Sequence, residues 1–287
     1  MNEPISLIRP VPESAFSMEF VLRSTDTDLH DRLHLSALFS FLQEVAYFHA
    51  EKLGLGADQL ARYRSCWILL KVSLRLDGLP SWGSTVQITT WQRGVRRLVF
   101  IRDFVLSVNG RPFAIVSSEW LVADLQTHRP QRPDRLLPPE LVPPLTEPCF
   151  TLPEQHPARQ NFSAATGPVA RRSAYYSDID RNRHMNNTRY ITWLTDALAA
   201  WKSYDPDAAQ PRHQLRELTV QFISEALPGQ TADLYVQPQD GPSGSFLFEA
   251  RRPDDPDGRP ILRAAGILES SQDRDRTGSP DDQADEI

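Results

Sequence analysis

Apolar residues recur every three or four positions from about Ser36 to Leu53, at Leu38, Phe41, Leu42, Val45, Phe48 and Leu53, and Gly54 closes the run. This spacing predicts a long helix with one broad buried face. The pattern then changes to segments rich in Val, Ile, Thr and aromatics: Cys66–Leu76, Thr85–Arg93, Leu98–Val108 and Phe113–Ala123. These read as strands, and Asn109-Gly110 marks a hairpin turn between the last two. Nine prolines between Pro130 and Pro157 interrupt any regular element and read as a semi-rigid linker.

Beyond the linker the order recurs. A strand near Ala170–Tyr176 precedes a helix from about Asn187 to Trp201, with Ile191, Leu194, Leu198 and Trp201 on one face. Strands are predicted near Leu218–Glu225, Thr231–Gln237, Ser245–Arg251 and Ile261–Leu268. Even a turn repeats: Leu79-Pro80-Ser81-Trp82-Gly83 finds a counterpart in Leu227-Pro228-Gly229. Each half thus reads strand, long helix, four strands. A helix with one apolar face must bury it against a sheet, so the fold class is α+β, in two copies of a helix wrapped by an antiparallel sheet. The boundaries follow as 1–127, a proline-rich linker at 128–165, a second domain at 166–270, and a tail at 271–287.

Composition narrows the class. The balance of 40% hydrophobic and 24% charged residues is that of a globular protein, and no apolar run is long enough to span a bilayer. The N-terminus lacks the basic-then-apolar order of a secretion signal, and Cys66 and Cys149 are the two cysteines, so a cytoplasmic location is expected, with no disulfide framework and no zinc spacing. The net charge of −6 is partly a tail effect, because Asp273–Glu286 holds six acids and two arginines. That segment is expected to be disordered. Bulk charge argues against nonspecific nucleic-acid binding.

The polar stretch from Tyr175 to Tyr190 stands out at a strand-to-helix junction. Asp180, Asn182 and His184 alternate, so an extended backbone would turn all three to one side. Asn186 or Asn187 suits the helix N-cap, and the first-turn N–H groups behind it can hold partial negative charge. A carboxylate, an amide and an imidazole beside a helix start can activate water and stabilise an oxyanion. The same residues also fit ordinary turn and cap roles.

DIDRNRHMNNTRYITW resembles the signature of the fatty acyl-acyl-carrier-protein (acyl-ACP) thioesterases, an Asp-x-Asn-x-His-x-Asn-Asn run followed by Tyr and Trp. The resemblance extends over about Met18 to Ser270. It includes the helix LFSFLQEVAYFHAEKLGL, the strand WILLKVSLRLD, the turn and strand LPSWGSTVQITTW, and Ser117-Ser118-Glu119-Trp120. It implies a tandem pair of hotdog domains and release of a free fatty acid from its carrier protein. With no Gly-rich phosphate loop and no ligand cluster in the sequence, no cofactor or metal is expected. The resemblance also implies catalytic roles for Asp180, Asn182 and His184, and for Glu225 on the next strand. Some relatives have a Cys directly after that Glu; here the position is Ala226, which removes a Cys–His mechanism unless folding brings Cys66 or Cys149 near. Asp180 is then expected as nucleophile or as the base for water, with the helix start at Asn186 and Asn187 behind the oxyanion.

The first half lacks the set, reading Leu29-His30-Asp31-Arg32-Leu33-His34-Leu35, and His34 and Asp31 are expected to be structural or substrate-facing. By resemblance this half supplies the acyl-chain tunnel, with Phe39, Leu42, Trp67 and Leu69 as candidate walls. Arg93, Arg96, Arg97 and Arg102 form the densest basic cluster, and Arg181, Arg183 and Arg189 flank the motif. Arg93, Arg96, Arg97, Arg181 and Arg183 are candidates for docking an acidic carrier protein. Acyl-CoA hydrolysis, a hotdog dehydratase and a non-catalytic acyl-thioester binding module stay open beside the leading expectation. Monomer and homodimer both fit, since two hotdog domains in one chain already make a pair.

Overall fold

The computed structural model describes residues 4–153, 157, 162, 167–181, 183–203, 205, 207–208, 212–255 and 258–270. The expected acidic tail, and Asn182 of the motif, lie outside the described residues. The first half runs β1 (Phe16–Val21), α1 (Leu35–Lys52), α2 (Ala57–Arg62), β2 (Ser65–Leu76), β3 (Thr85–Arg96), β4 (Val99–Val108) and β5 (Arg111–Asp124). The short helix α3 (Pro133–Leu136) lies in the proline-rich segment. The second half runs β6 (Ala170–Ser173), α4 (Asn187–Trp201), β7 (His213–Phe222), β8 (Thr231–Pro238), β9 (Ser245–Arg251) and β10 (Pro260–Ser270).

All ten strands form one antiparallel sheet in the order β1-β3-β4-β5-β2-β7-β10-β9-β8-β6. Its two halves repeat one connectivity and meet at β2 and β7. There Ser73 pairs with Thr219, its own counterpart, and the Thr219 hydroxyl meets Ser73 Oγ at 3.1 Å. The join is therefore a pseudo-twofold interface within one chain. α1 packs on β1 and β3, α4 on β6 and β8, and the two helices touch. One core runs through both halves, joining Leu38 and Val45 of α1, Ile191 and Leu194 of α4, and Val72, Leu74, Leu218 and Val220 of the central strands.

Periodicity placed most of this correctly, with instructive exceptions. On α1, Leu38, Phe41, Leu42 and Val45 are buried as expected, but Phe48 is 42% exposed and His49 takes the inward place in the last turn. The strand expected through Glu225 ends at Phe222, because the N–H groups of Ile223 and Ser224 both converge on the Ile261 carbonyl and the ladder stops there. The strand expected through Tyr176 ends at Ser173 and passes into a single 3-10 turn, Tyr176–Asp178.

The proline-rich segment is docked rather than merely spanning. Val95 N–H donates to the Pro143 carbonyl, Thr146 N–H donates to that of Arg93, and Cys149 and Phe150 join Ile5, Trp91, Val105 and Ile115 in a second apolar cluster. Gly94 permits this approach: a Cβ there would stand 2.4 Å from the Pro144 carbonyl oxygen. No helix of the described residues is long and apolar enough to cross a membrane.

Candidate active site

The two strand-to-helix junctions are built by the same hydrogen bonds. In the first half Asp28 N–H donates to Arg32 O, Asp31 N–H to Asp28 O and His34 N–H to Asp26 O; in the second, Asp180 N–H donates to His184 O, Arg183 N–H to Asp180 O and Asn186 N–H to Asp178 O. Asp31 (φ 59°) and Arg183 (φ 69°) take the same left-handed conformation. These bonds match Asp28 with Asp180, Arg32 with His184 and His34 with Asn186. The motif is therefore a tight reversal, bridged by Ile179 and Met185, and not the extended stretch that the alternation of Asp180 and His184 suggested. The following turns match through Gly83 and Gly229, which donate to Leu22 O and Ala174 O. That register sets Leu79 against Glu225 and Pro80 against Ala226, two residues away from the Leu-Pro pairing read off the sequence.

Around Glu225 the backbone is fixed on both sides. Its carbonyl accepts from Arg252 Nη2, and Ala226 next to it donates its N–H to Tyr190 Oη (2.7 Å) and accepts from Met185 N–H (3.0 Å). Burial first, and the nearby Glu225 charge after it, push the Tyr190 hydroxyl up to about 12, so it stays a neutral acceptor. With the backbone so held, the Glu225 carboxylate reaches His184, with Oε1 3.6 Å from Nε2. A second imidazole arrives from the first half: His128 Nδ1 lies 3.2 Å from the same oxygen. Sequence reading did not single out His128. It follows β5 in the Leu125–Arg129 loop, and only the sheet topology brings it to Glu225.

Asn186 is the N-cap of α4; its Oδ1 accepts from Thr188 N–H (2.9 Å), while its Nδ2 leans toward Asp180 Oδ2 at 3.4 Å. Asp180 and Asn187 then reach into the first half. They border a cavity of about 190 Å³ lined also by Tyr47, Trp67, Leu69, Gln92, Arg102 and Trp120. A smaller space of about 30 Å³ adjoins it, bordered by Phe39, Leu42, Leu69 and Asn187. All four wall residues expected from the sequence thus line these spaces; Trp120, Tyr47 and the α2 approach add to them. His34 occupies the cap position of α1 without a side-chain cap bond, and Asp31 is a turn residue.

The basic cluster separates into different fates. Arg102 is buried in the cavity wall, where Nη1 meets His49 Nδ1 at 2.7 Å and Thr90 Oγ1 at 3.3 Å, so it cannot dock a partner. Burial lowers its guanidinium to about 10. Burial, then the charges of Arg102 and Lys52, hold His49 down at about 4. Arg93 pairs with the buried Asp103 at 3.1 Å, and Arg189 lies 3.6 Å from Asp178. These contacts tie both to the fold. Arg96, Arg97, Arg181 and Arg183 are exposed.

The cysteine question is answered by environment. Cys66, at the start of β2, is near enough to Glu225 to feel its charge. Burial first, then Glu225 and Asp124, raise its thiol above the ordinary value, the reverse of nucleophile activation. Cys149 lies in the second apolar cluster with its Sγ 3.3 Å from the Pro10 carbonyl oxygen, and burial raises it too.

Two family models fit the halves in order: the acyl-ACP thioesterase N-terminal domain over residues 13–140 and the acyl-ACP thioesterase C-terminal domain over 168–255. The chain belongs to the acyl-ACP thioesterase family. Among curated relatives of the chain, oleoyl-acyl carrier protein thioesterase 1 of Arabidopsis thaliana is 26% identical over 76% of the chain and 62% of its own length. The palmitoyl-acyl carrier protein thioesterase of the same plant is 23% identical over 78% of the chain and 55% of its own. The chain thus spans less than two thirds of the length of these relatives. Its fold matches a solved acyl-ACP thioesterase from Bacteroides thetaiotaomicron (TM-score 0.73, 24% identity, 89% of this chain and 98% of that one). It also matches the 12:0-ACP thioesterase of Umbellularia californica (TM-score 0.72, 17% identity, 91% and 100%). The fold is the tandem hotdog.

Proposed function

We propose that this chain hydrolyses the thioester of fatty acyl-ACP, releasing a free fatty acid and the carrier's phosphopantetheine thiol. The observation that carries the reading is that Asp180 and Asn187, from the second half's junction, border a cavity that the first half otherwise lines, with Leu55, Trp67, Leu69, Phe100 and Trp120 among its walls. An acyl chain in that cavity brings its carbonyl to the junction. Asp180 then takes a proton from the attacking water and passes it to the departing thiolate, or it attacks the carbonyl and expels the thiolate, after which water cleaves the anhydride and supplies the thiol proton. The N-terminus of α4 favours the oxyanion. His184, held against Glu225, orients the water and thioester, and Asn182 is assigned with them on the family motif. The substrate's carrier is the partner of this reading. Arg97, Arg181 and Arg183 are exposed cations for its acidic surface, with Arg96 exposed but 3.7 Å from Glu119, and a cytoplasmic location goes with it.

Free-fatty-acid release from a panel of acyl-ACPs, with acyl-CoA beside them, tests the reaction and the carrier together. Reversing the charge of Arg97 and Arg181 should raise KM for acyl-ACP far more than for a small acyl thioester; equal effects on both remove the docking role. Single-turnover hydrolysis in ¹⁸O-water separates the routes, since label entering the Asp180 carboxylate requires a covalent anhydride.

A further inference from the structure

Glu225 Oε1 is shared by two imidazoles that come from different halves of the chain. His128 Nδ1 stands 3.2 Å from it and His184 Nε2 3.6 Å, and the ligand atoms of all three residues lie within 4.8 Å of one another. The two rings meet edge to face, with centroids 5.9 Å apart. Four-coordinate zinc, with ligands at about 2.0–2.1 Å, sets its ligand atoms about 3.3 Å apart; the two imidazole–carboxylate distances, 3.2 and 3.6 Å, lie close to that, and the two imidazoles lie within 4.8 Å of each other. Two imidazoles and one carboxylate are also a donor set that zinc-class ions select, leaving one position open to water or a thiol.

Access and rigidity agree with this. The side chains of His128, His184 and Glu225 are 40%, 26% and 41% exposed, so an ion can enter from solvent. His128 is carried on a built turn: Asp124 Oδ1 accepts the N–H groups of Gln126 and Thr127, and His128 N–H donates to Asp124 O at φ 53°. Glu225 is fixed by the backbone bonds of its neighbours, as described above. At the matched positions of the first half stand Arg32 and Leu79, which offer no ligand atoms. The donor set is specific to the catalytic junction.

We propose that His128, His184 and Glu225 bind a zinc-class divalent transition-metal ion, and that the bound ion inhibits hydrolysis. The inhibitory half rests on the catalytic reading of His184 and Glu225. An ion engaging the His184 nitrogen and the Glu225 oxygen withdraws both from the water and thioester they would orient.

The test uses the full chain stripped with chelator. Calorimetric titration with ZnCl2, and the visible spectrum with CoCl2, should show one ion per chain and the absorption of a low-symmetry, nitrogen- and oxygen-ligated cobalt. His128→Ala and His128→Gln should each weaken zinc at least about tenfold while melting as the parent does. Zinc should slow fatty-acid release reversibly, and the His128 variants should be less sensitive, each compared with its own chelated rate. Absence of binding overturns the proposal. So does binding that both His128 variants retain in full, or zinc that raises turnover. A chain that binds cobalt as described but releases no fatty acid even when chelated keeps the metal site and sinks the catalytic reading instead.

Discussion

Where the second half has His184, Glu225 and Asn186, the first has Arg32, Leu79 and His34 in the same backbone framework. Where the second half can strap its turn to the helix, with Ala226 N–H donating to Tyr190, the first has Pro80, which has no N–H to give, opposite Leu38. The difference runs the other way inside the sheet. Matching the junction bonds and strand registers sets His49, Arg102 and Thr90 of the first half against Trp201, Phe246 and Val236 of the second. The first triple is a hydrogen-bonded polar group whose Arg102 lines the cavity. The second is apolar, with Trp201 and Phe246 rings 6.5 Å apart. The two copies thus differ in what they carry: the first borders the cavity with most of its lining residues, and the second brings Asp180, His184 and Glu225 to the junction.

The largest effect should come from His184. His184→Ala should lower kcat by about 10²–10⁴, the usual range for losing a residue that handles or orients protons in the transition state. Arg32→Ala, at the matched position, should stay within about twofold under the same acyl-ACP assay. Comparable losses in both would break the asymmetry.

Next comes the cavity. Placing the second half's pair in the first, His49→Trp with Arg102→Phe, should fill the space and lower kcat/KM for long-chain substrates at least about tenfold. Short-chain substrates should suffer less. Unchanged long-chain turnover in a variant that melts normally would put the acyl chain elsewhere.

His49 also gives the first half a pH signature. Its ordinary pKa of 6.5 falls to about 4 in the fold. Above the ordinary value both states are neutral and stability is full. Between the two values the unfolded chain takes up a proton that the folded chain refuses, so stability falls as pH falls, by up to about 1.4 kcal/mol per pH unit. Urea melts across that window should show a shallower slope in His49→Gln, and parallel slopes would contradict the assignment. Smallest is the cap: Asn186→Ala should cost about 1 kcal/mol of stability and His34→Ala a few tenths, because only Asn186 makes a cap bond.

The helices and most strands were legible because each carries one buried face over many residues. β4 shows where that signal fails. It is covered by α1 on one side and by the docked proline segment on the other, so almost every residue is buried and alternation says nothing of which way Arg102 points. In a run of arginines it read as surface. Glu225 read as strand because the apolar residues run on from Phe222 to Ile223, yet Ile223 is 48% exposed beyond the end of β7. Asp180 and His184 could be named from the motif, and Glu225 from the family resemblance on the next strand. His128 could not, since its loop meets them only through the strand pairing that joins the halves.

The central claim is that one junction is catalytic and its twin is scaffold, and the matched acids test it most directly. Asp28 Oδ1 accepts the N–H groups of His30 and Arg32, a role that Asn can keep, whereas Asp180 faces the cavity. Fatty-acid release from one acyl-ACP should therefore fall by about 10³ or more in Asp180→Asn and remain within about twofold in Asp28→Asn. Full activity in Asp180→Asn, or equal loss in the two, would contradict the account.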